Sequence, residues 1–485
     1  MALVSAATLS SADPTASRRR WLALAAALTG AFMAIVDAFI VNIALPDIRT
    51  SLHASFGQAQ FVIAGYGLTY AVALITGGRL GDLVGRRRMF VLGLTGFTLA
   101  SLACGLASNI TALIGARLLQ GLAAAAMFPQ VLSLMRVTFT DPRERAVAFA
   151  LLGATQGLGA VTGQIAGGFL VNADLWRLGW RPIFLINGPI GLVTALAALR
   201  FIDESRADVA RRLDLTGVAI NAAAFTLLLY PLLEGRDAGW PLWSFVMLGL
   251  SVPAIGFFGW HQYRKTLAEA APLMDTRLFR HRAFVVGIVA ALLLGSILIS
   301  FFMILAFVLQ AGLGFTPVKA ALVFAPLALA YAFASFLAGR AGERRRLLLL
   351  AGGIILTAGY VITAVVDRLA GTPLSGLELV PMLIVIGIGQ GLVFTPLFNV
   401  TLSSIPTEHS GAAAGVLSTM PQAGGALGVA VVGLLFFGTL HAGMAAGAGA
   451  ADAYRSAFFA ALLYDIAAAA VIMLLLTALP ADEVD

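Results

Sequence analysis

Along the 485 residues, long apolar stretches alternate with short polar breaks, most of which carry arginine. A stretch of about 20 apolar residues, coiled as a helix, matches the roughly 30 Å hydrocarbon core of a bilayer. The pattern predicts a first set of six spans at 21–45, 57–77, 89–107, 110–136, 145–170 and 181–200. Two more follow at 213–233 and 241–262, and then a second set of six at 283–311, 317–338, 347–366, 379–402, 410–439 and 454–479. The predicted fold class is therefore an all-α membrane protein of fourteen transmembrane helices. Its expected parts are a disordered N-terminus at 1–20, a six-helix bundle at 21–200, an inserted hairpin with its linkers at 201–282, and a second bundle at 283–480.

The breaks set the orientation. Of the 31 Lys and Arg residues, 23 fall on the side of Arg18, Arg19 and Arg20, seven fall on the other, and Arg117 alone lies deep in a span. Cytoplasmic loops retain positive charge, so both termini are expected in the cytoplasm and the span count is expected to be even. Residues 1–20 lack the apolar core of a signal peptide, and the run from Trp21 is too long for one, so it reads as a retained first span.

Composition fits a chain whose solvent is largely lipid: 60% hydrophobic, 11% charged, mean hydropathy +0.94. The net charge of +7 does not point to nucleic acid, because the basic residues punctuate apolar runs and do not gather beside exposed aromatics. The single cysteine, Cys104, leaves no disulfide framework, and the five histidines have no metal-ligand spacing. Neither Lys265 nor Lys319 follows a glycine, so the chain has no phosphate-cradling loop and ATP does not drive it directly. No clustered set of catalytic side chains is present, which argues against an enzyme.

Between the second and third spans stands Gly78-Arg79-Leu80-Gly81-Asp82-Leu83-Val84-Gly85-Arg86-Arg87-Arg88. Its glycines permit a tight turn, and Asp82 can pair with the arginines or accept hydrogen bonds at a helix start. Gly339 to Arg346, also after the second span of a six-span set, has a similar build, as expected of transporters made from two related halves. The 78–88 segment resembles the hallmark loop of the major facilitator superfamily. Similar likeness runs through Asp37 to Pro46, Arg117 to Gly121, Trp180 to Gly191 and Leu213 to Gly217, and together these resemble the fourteen-helix drug:proton antiporter subfamily. The resemblance implies alternating access by two halves, with Gly78, Asp82, Gly85, Arg86 and Arg87 as a conformational latch. At Gly153 to Gly168 the chain resembles the antiporter motif, but Gln164 stands where a proline is usual.

Asp37 lies well inside the first span, where an ionised carboxylate costs about 2.5 to 3.5 kcal/mol and needs a partner or a proton. Arg117 shares a helical face with Gln120, Gly121 and Ala124. The resemblance assigns the span-four arginine to proton coupling, which makes Asp37 the proton carrier and Arg117 its modulator; a purely structural ion pair is the alternative. Asp465, surrounded by apolar residues in the last span, is a second proton-coupling candidate, unless it reaches backbone or a water-filled cleft. Gly153, Gly157, Gly163 and Gly167 have the small-residue spacing of closely packed membrane helices. Tyr66, Tyr70, Phe128, Tyr331 and Phe394 are candidates to line an apolar substrate cleft, and Asn42, Gln120, Gln310, Gln390 and Asn399 are its candidate polar handles.

The expected function is secondary active export of amphiphilic small molecules or drugs in exchange for protons, across a bacterial inner membrane. No cofactor beyond the proton gradient is expected. The expected partners are the substrate, protons and membrane lipids, with no nucleic acid, and the expected state is a monomer. Proton-coupled uptake of a specific metabolite and a non-transporting lipid-handling or scaffold role are the alternatives.

Overall fold

The computed structural model describes residues 14–206, 213–339, 345–369, 376–403, 405 and 410–479, and every regular element among them is helical. Fourteen helices are long and apolar enough to cross a membrane. They are α1 (Ser17–Ser51), α2 (Phe56–Val84), α3 (Arg86–Gly105), α4 (Ile110–Thr138), α5 (Arg143–Asn172), α6 (Pro182–Phe201) and α7 (Leu215–Glu234). The rest are α8 (Leu242–Leu267), α9 (Arg282–Gly312), α10 (Pro317–Gly339), α11 (Arg346–Leu369), α12 (Gly376–Leu402), α13 (Ala413–Ala445) and α14 (Ala450–Thr477). Each overlaps one predicted span. The largest difference is in α1, which runs about a turn further at each end than the 21–45 stretch.

The helix boundaries follow from local chemistry. Ser55 caps α2 by accepting from the Gln58 amide while the Gln58 side chain accepts from the Ser55 amide, a reciprocal capping box. Asn109 caps α4 and Asp141 caps α5 more simply, their side-chain oxygens accepting from amides of the first turn. The last turn of α9, Val308–Gly312, is a π-helix, a rare single-turn widening often met at functional sites.

Close backbone approach sets the packing. A Cβ on Gly77 would stand 2.0 Å from the Ala125 carbonyl oxygen, and one on Gly121 2.4 Å from the Tyr66 carbonyl oxygen, so α2 and α4 touch along their length. The α1–α5 pair is equally tight at Gly163, where a Cβ would meet the Val36 carbonyl at 2.8 Å, and at Gly167, which faces Ile40. Gly157 faces Ala332 of α10, and among the described residues nothing lies within 4 Å of a Cβ placed on Gly153. Of the four glycines expected to pack, three face a described neighbour.

The first six helices meet α9–α14 at the end away from the arginine-rich loops. There Phe56 stacks on Phe437 with centroids 4.1 Å apart, Phe39 meets Phe302 edge-on at 5.3 Å, and Gln310 Nε2 donates to the Ile43 carbonyl at 2.7 Å. That end of the bundle is closed.

The hairpin α7–α8 stands to one side. Its base is tied by Asp214, whose carboxylate accepts from the Gly217 amide, Lys265 Nζ at 2.7 Å, Gln262 Nε2 at 3.0 Å and the Leu273 amide. Burial alone would raise the Asp214 carboxyl, but the donors from Lys265, Gln262, Gly217 and His261 outweigh it and hold the group well below the ordinary carboxylate range. A depressed value means that its contribution is fully present above the unfolded value of about 3.9 and is lost only as pH falls below that. Asp214→Asn should therefore speed amide exchange at Leu273 and Met274 at every pH above about 4, whereas the unmutated protein should loosen there only in stronger acid. Equal exchange in the two proteins at neutral pH would show that Asp214 does not hold the base.

Candidate functional site

The approach of α2 to α4 brings one backbone carbonyl and one aromatic ring against a buried cation. Thr69 Oγ1 donates to the Leu118 carbonyl at 2.8 Å and pins the two helices together. Two turns back along α2, the Val62 carbonyl accepts from Arg117 Nε at 3.0 Å, and the Arg117 guanidinium carbon lies 4.3 Å from the centroid of the Tyr66 ring. From α1, Asp37 Oδ2 accepts from Arg117 Nη1 at 2.5 Å. Gln120, one turn along the same face of α4, accepts from Arg117 Nη1 at 2.8 Å and donates through Nε2 to Asp37 Oδ1 at 2.8 Å. Both carboxylate oxygens are thus occupied by donors, and Asp37 and Gln120 have no exposed surface.

Cys104 completes the cluster from α3, its Sγ 3.6 Å from Gln120 Oε1. Sequence reasoning gave Cys104 no place here, because an apolar run around a lone thiol looks the same whether or not it meets a polar group. Gln120 was expected in the substrate cleft. It bonds both members of the Asp37–Arg117 pair, because a residue at i+3 from Arg117 shares its face and offers both an acceptor and a donor.

Asp465 stands apart, on α14. It is 1% exposed, and its Oδ1 has no hydrogen-bond partner among the described residues. The Tyr360 and Tyr464 hydroxyls are within its electrostatic reach; Tyr464 Oη lies 2.6 Å from Ser296 Oγ, and Tyr360 accepts from Gln390 Nε2 at 3.3 Å. No cation is paired with it among the described residues, unlike Asp37.

The aromatic candidates form two groups. Tyr66, Tyr70 and Phe128 run together in the first set, with centroid distances of 6.0 and 6.4 Å, and Tyr331 and Phe394 meet at 6.3 Å in the second. The polar handles scatter. Asn42 is buried and donates back to the Ala38 carbonyl of its own helix, Gln310 bridges to α1, and Gln390 bonds Tyr360. The side chain of Asn399 lies outside those described.

The 78–88 segment is helical on both sides of Gly85 rather than a loop, because α2 runs on to Val84 and α3 starts at Arg86; within it Asp82 Oδ1 accepts from Arg86 Nη2 at 3.0 Å. Gly85 has φ +117, a conformation that favours glycine, and a Cβ there would stand 2.5 Å from Glu204 Oε1. Glu204 accepts from the Arg87 amide at 3.1 Å and the Arg88 amide at 3.3 Å, which places a carboxylate at the start of α3 where the helix dipole favours it. Arg86 N–H donates to the Ser205 carbonyl at 2.9 Å. Arg79 donates to the carbonyls of Ala271 and Pro272, in the linker after α8. A Cβ on Gly78 would meet Pro129 at 3.5 Å, an ordinary contact. Sequence reasoning missed Glu204, which lies in a polar linker 117 residues from its partner. The similar segment at Gly339–Arg346 falls largely outside the described residues.

The profile of the Major Facilitator Superfamily matches residues 27–429. The chain belongs to this superfamily. Among superfamily relatives, the chain is 39% identical over 434 residues to a probable actinorhodin transporter of Streptomyces coelicolor, covering 88% of this chain and 74% of the relative. It is 34% identical over 436 residues to the puromycin resistance protein pur8 of Streptomyces alboniger, covering 88% and 84%. It is 34% identical over 430 residues to the multidrug resistance protein Stp of Mycobacterium tuberculosis, covering 88% and 78%. The superfamily fold is seen again in a bacterial homolog of the human lysosomal transporter Spinster, solved in an inward-facing and unoccupied conformation. It matches with a TM-score of 0.68 at 17% identity, over 96% of this chain and 98% of that one.

Proposed function

We propose that this protein is a secondary active exporter of amphiphilic, drug-like small molecules that exchanges substrate for protons across a bacterial plasma membrane. The observation that carries the proposal is the Asp37–Arg117–Gln120 cluster, an acid and a base held in membrane-spanning helices with no exposed surface on the acid. Charges so placed are costly, and in membrane proteins they mark proton and substrate pathways. In this reading Asp37 carries the exchanged proton, Arg117 and Gln120 govern its release, and Asp465 is a second carrier. The relatives named for drug resistance and antibiotic transport supply the substrate class. The arginine-rich end and both termini face the cytoplasm, which makes the closed end external and this conformation inward-facing. The 78–88 segment is the latch, Glu204 is its partner in this state, and the two aromatic groups line the substrate cleft. The protein works as a monomer in contact with lipid.

The energetics suffice. One proton crossing 100 mV releases about 2.3 kcal/mol, against about 1.4 kcal/mol for a tenfold uphill gradient. The test is proton flux in acid-loaded inside-out vesicles. Addition of an exported cationic dye should alkalinise the lumen, because substrate entering expels protons; acidification would mean symport, and no change would mean no coupling.

A further inference from the structure

The hairpin α7–α8 reads in sequence as an insertion between two related sets, and an insertion need not touch either. Its loop touches both. At the closed end α7 packs beside α2, with the Leu233 carbonyl 2.2 Å from where a Cβ on Gly57 would stand and the Phe61 and Tyr230 rings 6.2 Å apart. Just beyond α7, Asp237 Oδ2 accepts from the Gly57 amide at 2.8 Å, in the first turn of α2. The preceding residue, Arg236, reaches the other way, and its Nη2 lies 2.8 Å from Nδ1 of His441 on α13. The loop is braced internally by bonds from the Ala238, Gly239 and Trp240 amides to the carbonyls of Glu234, Arg236 and Gly235. It is therefore a short rigid piece that holds one set through a carboxylate and the other through a guanidinium.

The His441 contact has a built-in condition. Nδ1 of the same ring is 2.9 Å from the Phe437 carbonyl. One nitrogen cannot accept from Arg236 and donate to Phe437 at once, so the bond to Arg236 requires a neutral ring with its proton on Nε2. A doubly protonated ring donates to Phe437 and sets a cation against Arg236. The other charged or titratable groups around it are Asp237 and Glu234 on the hairpin, Arg49 of α1, whose guanidinium lies on the Phe56 ring that also meets His441 edge-on, and Tyr454 of α14 beside Arg49. Histidine is the side chain whose charge changes between about pH 5 and 8.

We propose that the loop of the inserted hairpin is a clasp across the closed gate, fixed to α2 through Asp237 and released from α13 when His441 takes up a proton. The inference rests on the sidedness given above, since that proton must come from the face to which substrate is expelled. Release would link the acid side of the membrane to opening of the external gate, independently of the proton on Asp37.

The test uses the full chain in nanodiscs, with spin labels at T50C and T316C, on α1 and just before α10 at the closed end; Cys104 is fully buried and stays unlabelled. As pH falls from about 8 to about 5, the long-distance population should rise several-fold. His441→Gln should remove that response, and Arg236→Gln should give a raised long-distance population already at pH 8. Asp37→Asn should keep the response while losing proton-driven export, which separates failure of the clasp from failure of the coupling reading. If Arg236→Gln does not fold, Arg236→Lys, which keeps the charge but shortens the reach, should give the same shift in weaker form. A pH response retained in His441→Gln, or a closed end unchanged in both Arg236 variants, overturns the proposal.

Discussion

Asp37→Asn is expected to reduce proton-driven export in vesicles to the level of vesicles without protein, while substrate exchange in the absence of any gradient continues. The carboxamide keeps the size of the side chain and still offers an oxygen to Arg117, which here lies 2.5 Å from the Asp37 carboxylate. It cannot take up and release a proton. Exchange without a gradient needs only alternating access, so a variant that exchanges but does not concentrate has lost coupling and kept its fold. Export that still follows the pH gradient in this variant would remove Asp37 from the mechanism and leave Asp465, buried in α14, to be tested by the same substitution.

Arg117→Leu is expected to act first on stability. It strands Asp37, whose surface is wholly buried, and it also removes the donors to the Val62 carbonyl and to Gln120. Removing one partner of a buried ion pair costs about 3 to 5 kcal/mol, largely because the remaining charge is left unpaired. The double variant Asp37→Asn with Arg117→Leu should recover most of that loss in a melting measurement in detergent, yet remain uncoupled. If the single and double variants melt at the same temperature, the pair contributes no interaction energy and its role is not electrostatic.

The architecture was readable in the chain because lipid imposes a simple rule: a helix that must cross needs about 20 apolar residues. Fourteen stretches predicted fourteen helices. The meeting of Asp37 and Arg117 was readable for the same reason, since two costly charges in neighbouring spans stabilise each other best by pairing. What sequence reasoning could not reach were contacts whose residue types are common and whose partners are remote. Glu204 looks like any acid in a polar linker until the turn at Gly85 brings two α3 amides to it. Arg236 and His441 are 205 residues apart, and each alone reads as a loop residue. Gln120 and Gln310 were recognised as polar groups in apolar surroundings, but an amide serves equally for substrate, ion pair or backbone. The structure bonds Gln120 to Asp37 and Gln310 to the Ile43 carbonyl.

The least enclosed of the fourteen helices is α8, whose Leu242, Phe245, Val246, Val252 and Phe257 all lie open on its surface. Such a helix follows the bilayer more than it follows the protein, tilting or shifting when the hydrocarbon layer thickens or thins. Its short connection to α7 carries Arg236 and Asp237 at the gate, and its other end is tied to Asp214 and, through the following linker, to Arg79. The hairpin therefore joins the most open helix to both ends of the bundle, to Gly57 and His441 at one and to Asp214 at the other.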